Sequence, residues 1–143
     1  MLGRTMTFGR TSALVAAVAM VTFACTGPEP ELVDADCVVT QAVFDDHIYP
    51  RHCDPNQFQD KSKFLLQYCT RAAAQQMCES VQNAAAQVRT VQQDGRVRYD
   101  SELGTVIGTN GEMCGRLVIA STADGTVVTL FPERAGGVGL TCH

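Results

Sequence analysis

The sequence predicts an α+β domain, in which N-terminal helices pack on a C-terminal antiparallel β-sheet and disulfide bonds staple the parts together. One observation is a change of pattern, because the chain favours helix from residue 37 to about residue 92 and strand after Gly95. The other is an even set of six cysteines in the same region, which permits three disulfides in an exported protein. The six are Cys37, Cys53, Cys69, Cys78, Cys114 and Cys142. Residues 37–143 are therefore expected to form one disulfide-stapled domain.

The first 24 residues are typical of an export signal. Arg4 and Arg10 precede the uncharged apolar run 12–24, which is too short to span a membrane. Cys25 follows directly and resembles the lipid-modified cysteine of a bacterial lipoprotein; the alternative is cleavage nearby, with Cys25 as a free thiol. Residues 25–36 then form an extended tether. We expect an exported protein of the cell envelope, anchored to the outer membrane through one lipid and without a membrane-embedded domain.

The charge of the chain limits its function classes. The full sequence has a net charge of −4, and removal of residues 1–24 leaves nine basic and 15 acidic residues, a net charge of −6. An acidic chain has no general attraction for nucleic acid, so any phosphate chemistry needs a local basic cluster. The sequence also lacks a Ser-His-Asp elbow and a glycine motif that cradles phosphate.

Two helices are predicted before Gly95. The first is short and amphipathic, covers residues 37–48 and ends at Pro50. A polar loop at 54–60 follows, and Ser62 then caps a long helix that Gly95 ends. Its apolar stripe advances in steps of three and four residues along Leu66, Cys69, Ala73, Met77, Val81, Ala84, Val88 and Val91. On such a helix Cys69 and Cys78 face opposite sides, so they should not pair with each other unless the helix breaks.

Short strands are predicted after Gly95. They cover residues 96–100, 105–107, 117–121 and 126–131. A turn is expected at 109–111, and Ala123-Asp-Gly125 is a strong hairpin signal between the last two strands. Cys142 is expected to anchor the glycine-rich tail that follows.

The candidate chemistry is concentrated near the first helix. Within the 18 residues 47–64 the chain places two of its three histidines, both of its lysines and one arginine. An acid–base reaction on an anionic substrate needs a proton acceptor, a proton donor and a cation. Histidine can be either the base or the acid near neutral pH. This segment therefore has the residue types that such a reaction requires.

Four motifs, in order, resemble the C-terminal toxin domains of bacterial polymorphic toxins. They are His47-Ile-Tyr-Pro-Arg51-His52, Lys61-Ser-Lys-Phe64, Tyr99-Asp100 with Ile107-Gly-Thr-Asn110, and Val128-Thr-Leu-Phe-Pro132. The resemblance covers residues 44–133. The group includes EndoU-like, barnase-like and RNase-A-like ribonucleases, which act without metal and build helices on an antiparallel sheet. As a lipoprotein with these motifs, the chain resembles lipoprotein toxins that are passed between the outer membranes of social bacteria.

The resemblance implies cleavage of RNA without metal. This reaction needs a base for the 2′-hydroxyl, an acid for the leaving oxygen and a cation or hydroxyl that holds the charged phosphorane. His47 and His52 would be the acid and base, Arg51, Lys61 and Lys63 would hold phosphate, and Thr129 would donate a hydrogen bond to it. It further implies an RNA substrate, an immunity protein as partner, and no metal or other cofactor.

Other interpretations of the same residues remain open. A histidine at a helix end is often a cap, lysines before a helix are often surface residues, and threonine is a good strand former. His47, His52 and Cys53 could form a zinc site, but exported cysteines tend to oxidise and the spacing is not a recognised metal pattern. The alternative function is a non-catalytic, disulfide-stapled envelope lipoprotein that binds a protein partner. A cleft shared by a histidine, a lysine and Thr129 would favour the ribonuclease.

Overall fold

A meander of antiparallel strands forms the central sheet. The strands are β1 (Gln87–Val91), β2 (Val97–Glu102), β3 (Cys114–Ile119) and β4 (Val127–Glu133), and they lie in the sheet in that order. The structure is a computed structural model that describes residues 33–133 and 142. Within these residues the helices come before the sheet, which confirms the predicted α+β class. The predicted hairpin is present as β3 and β4.

The second helix, Arg71–Gln82, covers one face of the sheet. Its alanine-rich sequence has a high helix propensity, and the Thr70 side chain caps it by accepting from the Ala73 N–H at 3.2 Å. Its buried face carries Ala74, Met77, Cys78, Val81 and Gln82. At Gly115 on β3, an added Cβ would lie 2.4 Å from the Val81 side chain. The helix and sheet are therefore in close contact at a position that only glycine allows.

The prediction of one long helix from Ser62 to residue 92 was wrong. Thr70, and not Ser62, caps the helix, and Val88 lies in β1. Gly95 has a φ of +86° and forms the turn between β1 and β2 instead of ending a helix. Residues three apart face opposite sides of a strand, and Val91, three residues after Val88, is exposed. Residues 88–91, Val-Arg-Thr-Val, are rich in β-branched side chains and pair with β2, so they form a strand.

The N-terminal helix runs through Pro50, so the prediction that Pro50 ends it was also wrong. It has three consecutive segments, α-helical at Gln41–Val43, π-helical at Phe44–Ile48 and α-helical at Tyr49–His52. A proline lacks the N–H and crowds the carbonyl one turn earlier. The wider π segment directly precedes Pro50, and there the Tyr49 N–H donates to the carbonyl of Phe44, five residues back.

Residues 105–107 do not form the predicted strand. Ile107 is fully buried, and the backbone here bonds to the segment before the second helix: the Leu65 N–H donates to the Ile107 carbonyl, and the Thr109 N–H to the Lys63 carbonyl, each at 2.8 Å. The following turn is closed by the Gly111 N–H on the Gly108 carbonyl at 3.1 Å. The segment is therefore a single bridge that ties residues 63–65 to the body of the domain.

Three disulfides are present within the described residues, as predicted. They join Cys37 to Cys78, Cys53 to Cys69, and Cys114 to Cys142. The first ties the chain before the N-terminal helix to the second helix, and the next ties the end of one helix to the approach to the other. The third joins β3 to Cys142, as expected for an anchored tail, although residues 134–141 lie outside the described residues. Cys69 and Cys78 do not pair with each other, which also confirms the prediction.

The segment that enters the domain lies along the sheet. The Asp34 carboxylate accepts from Arg89 at 2.5 and 2.7 Å and from the Tyr99 hydroxyl, and the Ala35 N–H donates to the Thr122 carbonyl at 2.8 Å. These residues are the last part of the expected tether. The expected signal peptide, Cys25 and the rest of the tether lie outside the described residues. Across residues 33–133, no helix is long and apolar enough to cross a membrane.

Candidate active site

A cleft of about 670 Å³ lies between the N-terminal helix and β4. The helix contributes His47, Arg51 and His52, the loop after it contributes Lys61, and β4 contributes Thr129 and Phe131. Five of the six residues with predicted catalytic or phosphate-binding roles therefore share this cleft. Lys63 is the exception.

His47 faces β4 across the cleft. Its Nε2 atom lies 3.0 Å from the Thr129 hydroxyl, 82 residues further along the chain. Partial burial lowers the pKa of His47, and the nearby charge of Arg51 lowers it further. The neutral imidazole therefore predominates at pH 7, and it can exchange a proton with a group placed beside Thr129.

His52 is buried beside it with only 5% of its surface exposed. Its Nδ1 atom lies 2.9 Å from the Ser62 carbonyl, which can only accept, so Nδ1 carries the proton. The ring stacks on Phe131, with centroids 5.0 Å apart and planes 14° apart. Burial lowers the pKa of His52 to about 4, against the opposing effect of the Ser62 hydrogen bond. At neutral pH, Nε2 is therefore a lone-pair acceptor, and within the described residues it makes no hydrogen bond.

The two imidazoles lie on the same side of the N-terminal helix. Residues five apart on a regular α-helix would point about 140° away from each other. The π segment Phe44–Ile48 underwinds the helix, and the ring centroids of His47 and His52 are 6.1 Å apart. This distance allows both rings to contact one phosphodiester. The helical turn before Pro50, where the sequence predicted the end of the helix, thus contributes to the geometry of the site.

Among the described residues, three cationic side chains line the cleft, and the ion pairs of two of them are exposed to solvent. Lys61 pairs with Asp60 at 2.6 Å, but both side chains are well exposed, so this pair is weak and Lys61 is free to contact an anion. Arg96, which the sequence analysis did not select, also lines the cleft, and its Nε lies 3.5 Å from Asp94. Arg51 lies over the ring of Phe58, 5.0 Å from its centroid.

Lys63 does not line this cleft, although it was predicted to hold phosphate. Its ammonium donates to the carbonyls of Arg51 and Gln57, each at 2.6 Å. Desolvation lowers the pKa of Lys63 despite the nearby Asp54 and Asp60. The geometry thus gives Lys63 a positioning role, in which it ties the end of the helix to the loop.

A buried ionic network supports the β4 side of the cleft, and sequence reasoning missed it. Arg116 on β3 donates to Asp100 at 2.5 Å and lies 3.0 Å from Glu133, while its guanidinium is 5.9 Å from the Phe131 centroid. Burial raises the pKa of Glu133, which also lines the cleft. Alternation along β4 places Thr129, Phe131 and Glu133 on one face. Only the strand register places Arg116 beside them.

Comparison with known proteins adds no assignment. No family model, curated protein or solved structure matches this chain. Cys53 is bonded to Cys69, so its sulfur is not available as a thiolate for the zinc site considered above.

Proposed function

We propose that this domain is a metal-independent ribonuclease that cleaves single-stranded RNA. The observation that carries the proposal is the pair of imidazoles, 6.1 Å apart, in one cleft with Thr129, Arg51 and Lys61. One cleft therefore has candidates for a base, an acid and an oxyanion ligand.

In this proposal His52 is the base. Its Nε2 lone pair accepts the proton of the ribose 2′-hydroxyl, whose oxygen then attacks the adjacent phosphorus. A P–O2′ bond forms and the P–O5′ bond breaks, which leaves a 2′,3′-cyclic phosphate and a 5′-hydroxyl. The hydrogen bond from Nδ1 to the Ser62 carbonyl fixes this tautomer and stabilises the imidazolium that forms.

His47 is the acid in the same step. The negative charge of a bound phosphodiester favours the imidazolium and offsets the burial that otherwise lowers the pKa of His47. His47 then donates its proton to the departing 5′-oxygen. Thr129, 3.0 Å from Nε2, orients the ring and can donate to a non-bridging oxygen. Arg51 and Lys61 stabilise the charge that develops on the phosphorane.

The cellular setting is part of the same proposal. We place this activity on an exported lipoprotein, anchored to the outer membrane through Cys25 and used as a toxin in competition between bacteria. Its substrate is RNA of the target cell, and an immunity protein protects the producer. Three disulfides support folding in an oxidising compartment.

The test is cleavage of single-stranded RNA by the purified, oxidised mature protein in the presence of EDTA. We expect 2′,3′-cyclic phosphate products, and a loss of about 10²–10⁴-fold in rate for His47→Ala and for His52→Ala. His143→Ala is the matched control and should leave the rate unchanged. Intact RNA after incubation with the oxidised protein, or cleavage that survives both replacements, would contradict the proposal. The lipoprotein would then be better explained as a binder of a protein partner.

A further inference from the structure

An exposed aromatic ring lies beside the cleft, on the loop after the N-terminal helix. Phe58 is 45% exposed and has a φ of +44°. It is the only residue other than glycine with a positive φ among those that the structure describes. A bulky L-residue pays a steric cost in this region, and such strain is typically retained at functional sites.

Hydrogen bonds hold the loop in this strained form. The Lys61 N–H donates to the Phe58 carbonyl at 2.9 Å. Next to it, the Lys63 ammonium donates to the Gln57 carbonyl at 2.6 Å, and the Asn56 N–H donates to the Asp54 carboxylate at 2.8 Å. The exposed ring is therefore presented by an ordered loop with its own internal bonding.

The ring is connected to the cleft through Arg51. The guanidinium of Arg51 lies over the Phe58 ring, 5.0 Å from its centroid, and Arg51 itself lines the cleft. Lys61, three residues after Phe58, lines it as well. Almost half of Phe58 remains exposed although Arg51 lies against it. An aromatic surface and two cations are thus presented together at the edge of the cleft.

We propose that Phe58 is a stacking platform for a nucleobase of single-stranded RNA, next to the phosphate held in the cleft. The inference rests on the proposed ribonuclease function and identifies a residue that binds the RNA substrate. Exposed aromatic rings beside cations bind single strands because every base has a π-face and every linkage a negative charge. In a duplex the stacked neighbours cover these faces, so the platform selects unpaired bases.

Binding to a strand that cannot be cleaved tests this inference separately from catalysis. The probe is a fluorescent single-stranded DNA oligonucleotide, which lacks the 2′-hydroxyl nucleophile, titrated with the oxidised mature protein. Phe58→Leu should weaken binding roughly 5- to 150-fold, and Phe58→Trp should preserve it. Tyr49→Leu is the matched control because Tyr49 is also 45% exposed but lies against Phe44 and not in the cleft. It should leave the affinity unchanged.

An abasic strand of the same length separates stacking from charge. The parent protein and Phe58→Leu should bind the abasic strand equally. Phe58→Gly removes both the ring and the strain, so its guanidinium unfolding midpoint should rise while its affinity for the normal strand falls. Equal affinity of the parent and Phe58→Leu for the normal strand would overturn the inference, and so would an equal loss on the abasic strand. A protein that shows the stacking effect but cleaves no RNA would contradict only the ribonuclease.

Discussion

Two neighbours and burial in the folded domain set the environment of His52. The Ser62 carbonyl fixes its tautomer, Phe131 covers one ring face, and burial lowers its pKa to about 4. The unfolded chain has no such environment, and there the pKa of the histidine is close to its ordinary value of 6.5. Between these two values the unfolded state binds a proton that the folded state does not.

The folded state should therefore lose stability on acidification. The contribution of His52 is fully present above pH 6.5 and is lost as the pH falls through the interval toward 4, by about 3 kcal/mol in total. The measurement is guanidinium unfolding of the oxidised protein at steps between pH 7 and pH 4, for the parent and for His52→Gln. The variant lacks the titrating group and should show a shallower decline. Identical slopes for the two proteins would refute this origin of the pH dependence.

At the scale of elements, the register between β3 and β4 decides which arginine supports the cleft. Arg98 and Arg116 both pair with buried Asp100, at 2.9 and 2.5 Å. Only Arg116 lies opposite Phe131 and also contacts Glu133. The side chain of Arg116 is 17% exposed, whereas that of Arg98 is 28% exposed. The two arginines therefore form a natural comparison within one network.

Arg116→Met should destabilise the domain more than Arg98→Met. Losing Arg116 leaves the Glu133 carboxylate and one oxygen of Asp100 without their buried cation, and such losses typically cost about 3–5 kcal/mol. Losing Arg98 leaves Asp100 with its closer partner, so the cost should be roughly half as large or less. Guanidinium unfolding at pH 7 compares the two variants. Equal losses would mean that Phe131 and Glu133 gain nothing from Arg116.

On the scale of the whole molecule, the disulfides connect the site to the rest of the fold. The Cys53–Cys69 bond closes a sequence separation of 16 residues and begins at the residue after His52. It holds the end of the N-terminal helix against the approach to the second helix. The Cys114–Cys142 bond, with a separation of 28 residues, joins β3 to Cys142 and does not adjoin His47 or His52 in the chain.

Removing Cys53–Cys69 should therefore affect activity as well as stability. Each bond should contribute about 2–4 kcal/mol, so the double variants Cys53→Ala/Cys69→Ala and Cys114→Ala/Cys142→Ala should lose comparable stability. At a temperature where both remain folded, only the first should cleave RNA more slowly than the parent. Circular dichroism establishes the folded fraction, and the cleavage rate gives the comparison. A parent-like rate in the first variant would show that this bond does not position His52.

The sequence by itself determined the features that are local or that depend on counting. The change from a helical to a strand pattern predicted the α+β class, and the even count of six cysteines predicted three disulfides. The turn residues Ala123-Asp-Gly125 predicted the β3–β4 hairpin. The segment from His47 to His52 was also recognisable as chemically unusual, because its residues are neighbours in the chain.

Only the tertiary structure decided the rest, since burial and contact depend on segments that are distant in sequence. His47 meets Thr129 across 82 residues, and no local pattern encodes that distance. The C-terminal end of the second helix could not be predicted because Val88 pairs with Asp100 of β2, which lies later in the chain. Lys61 and Lys63 belong to the same short motif and could not be distinguished in the sequence. In the structure Lys61 lines the cleft, whereas the Lys63 ammonium donates to two backbone carbonyls. The sequence gives the charge of each side chain, but the folded structure determines which group that side chain contacts.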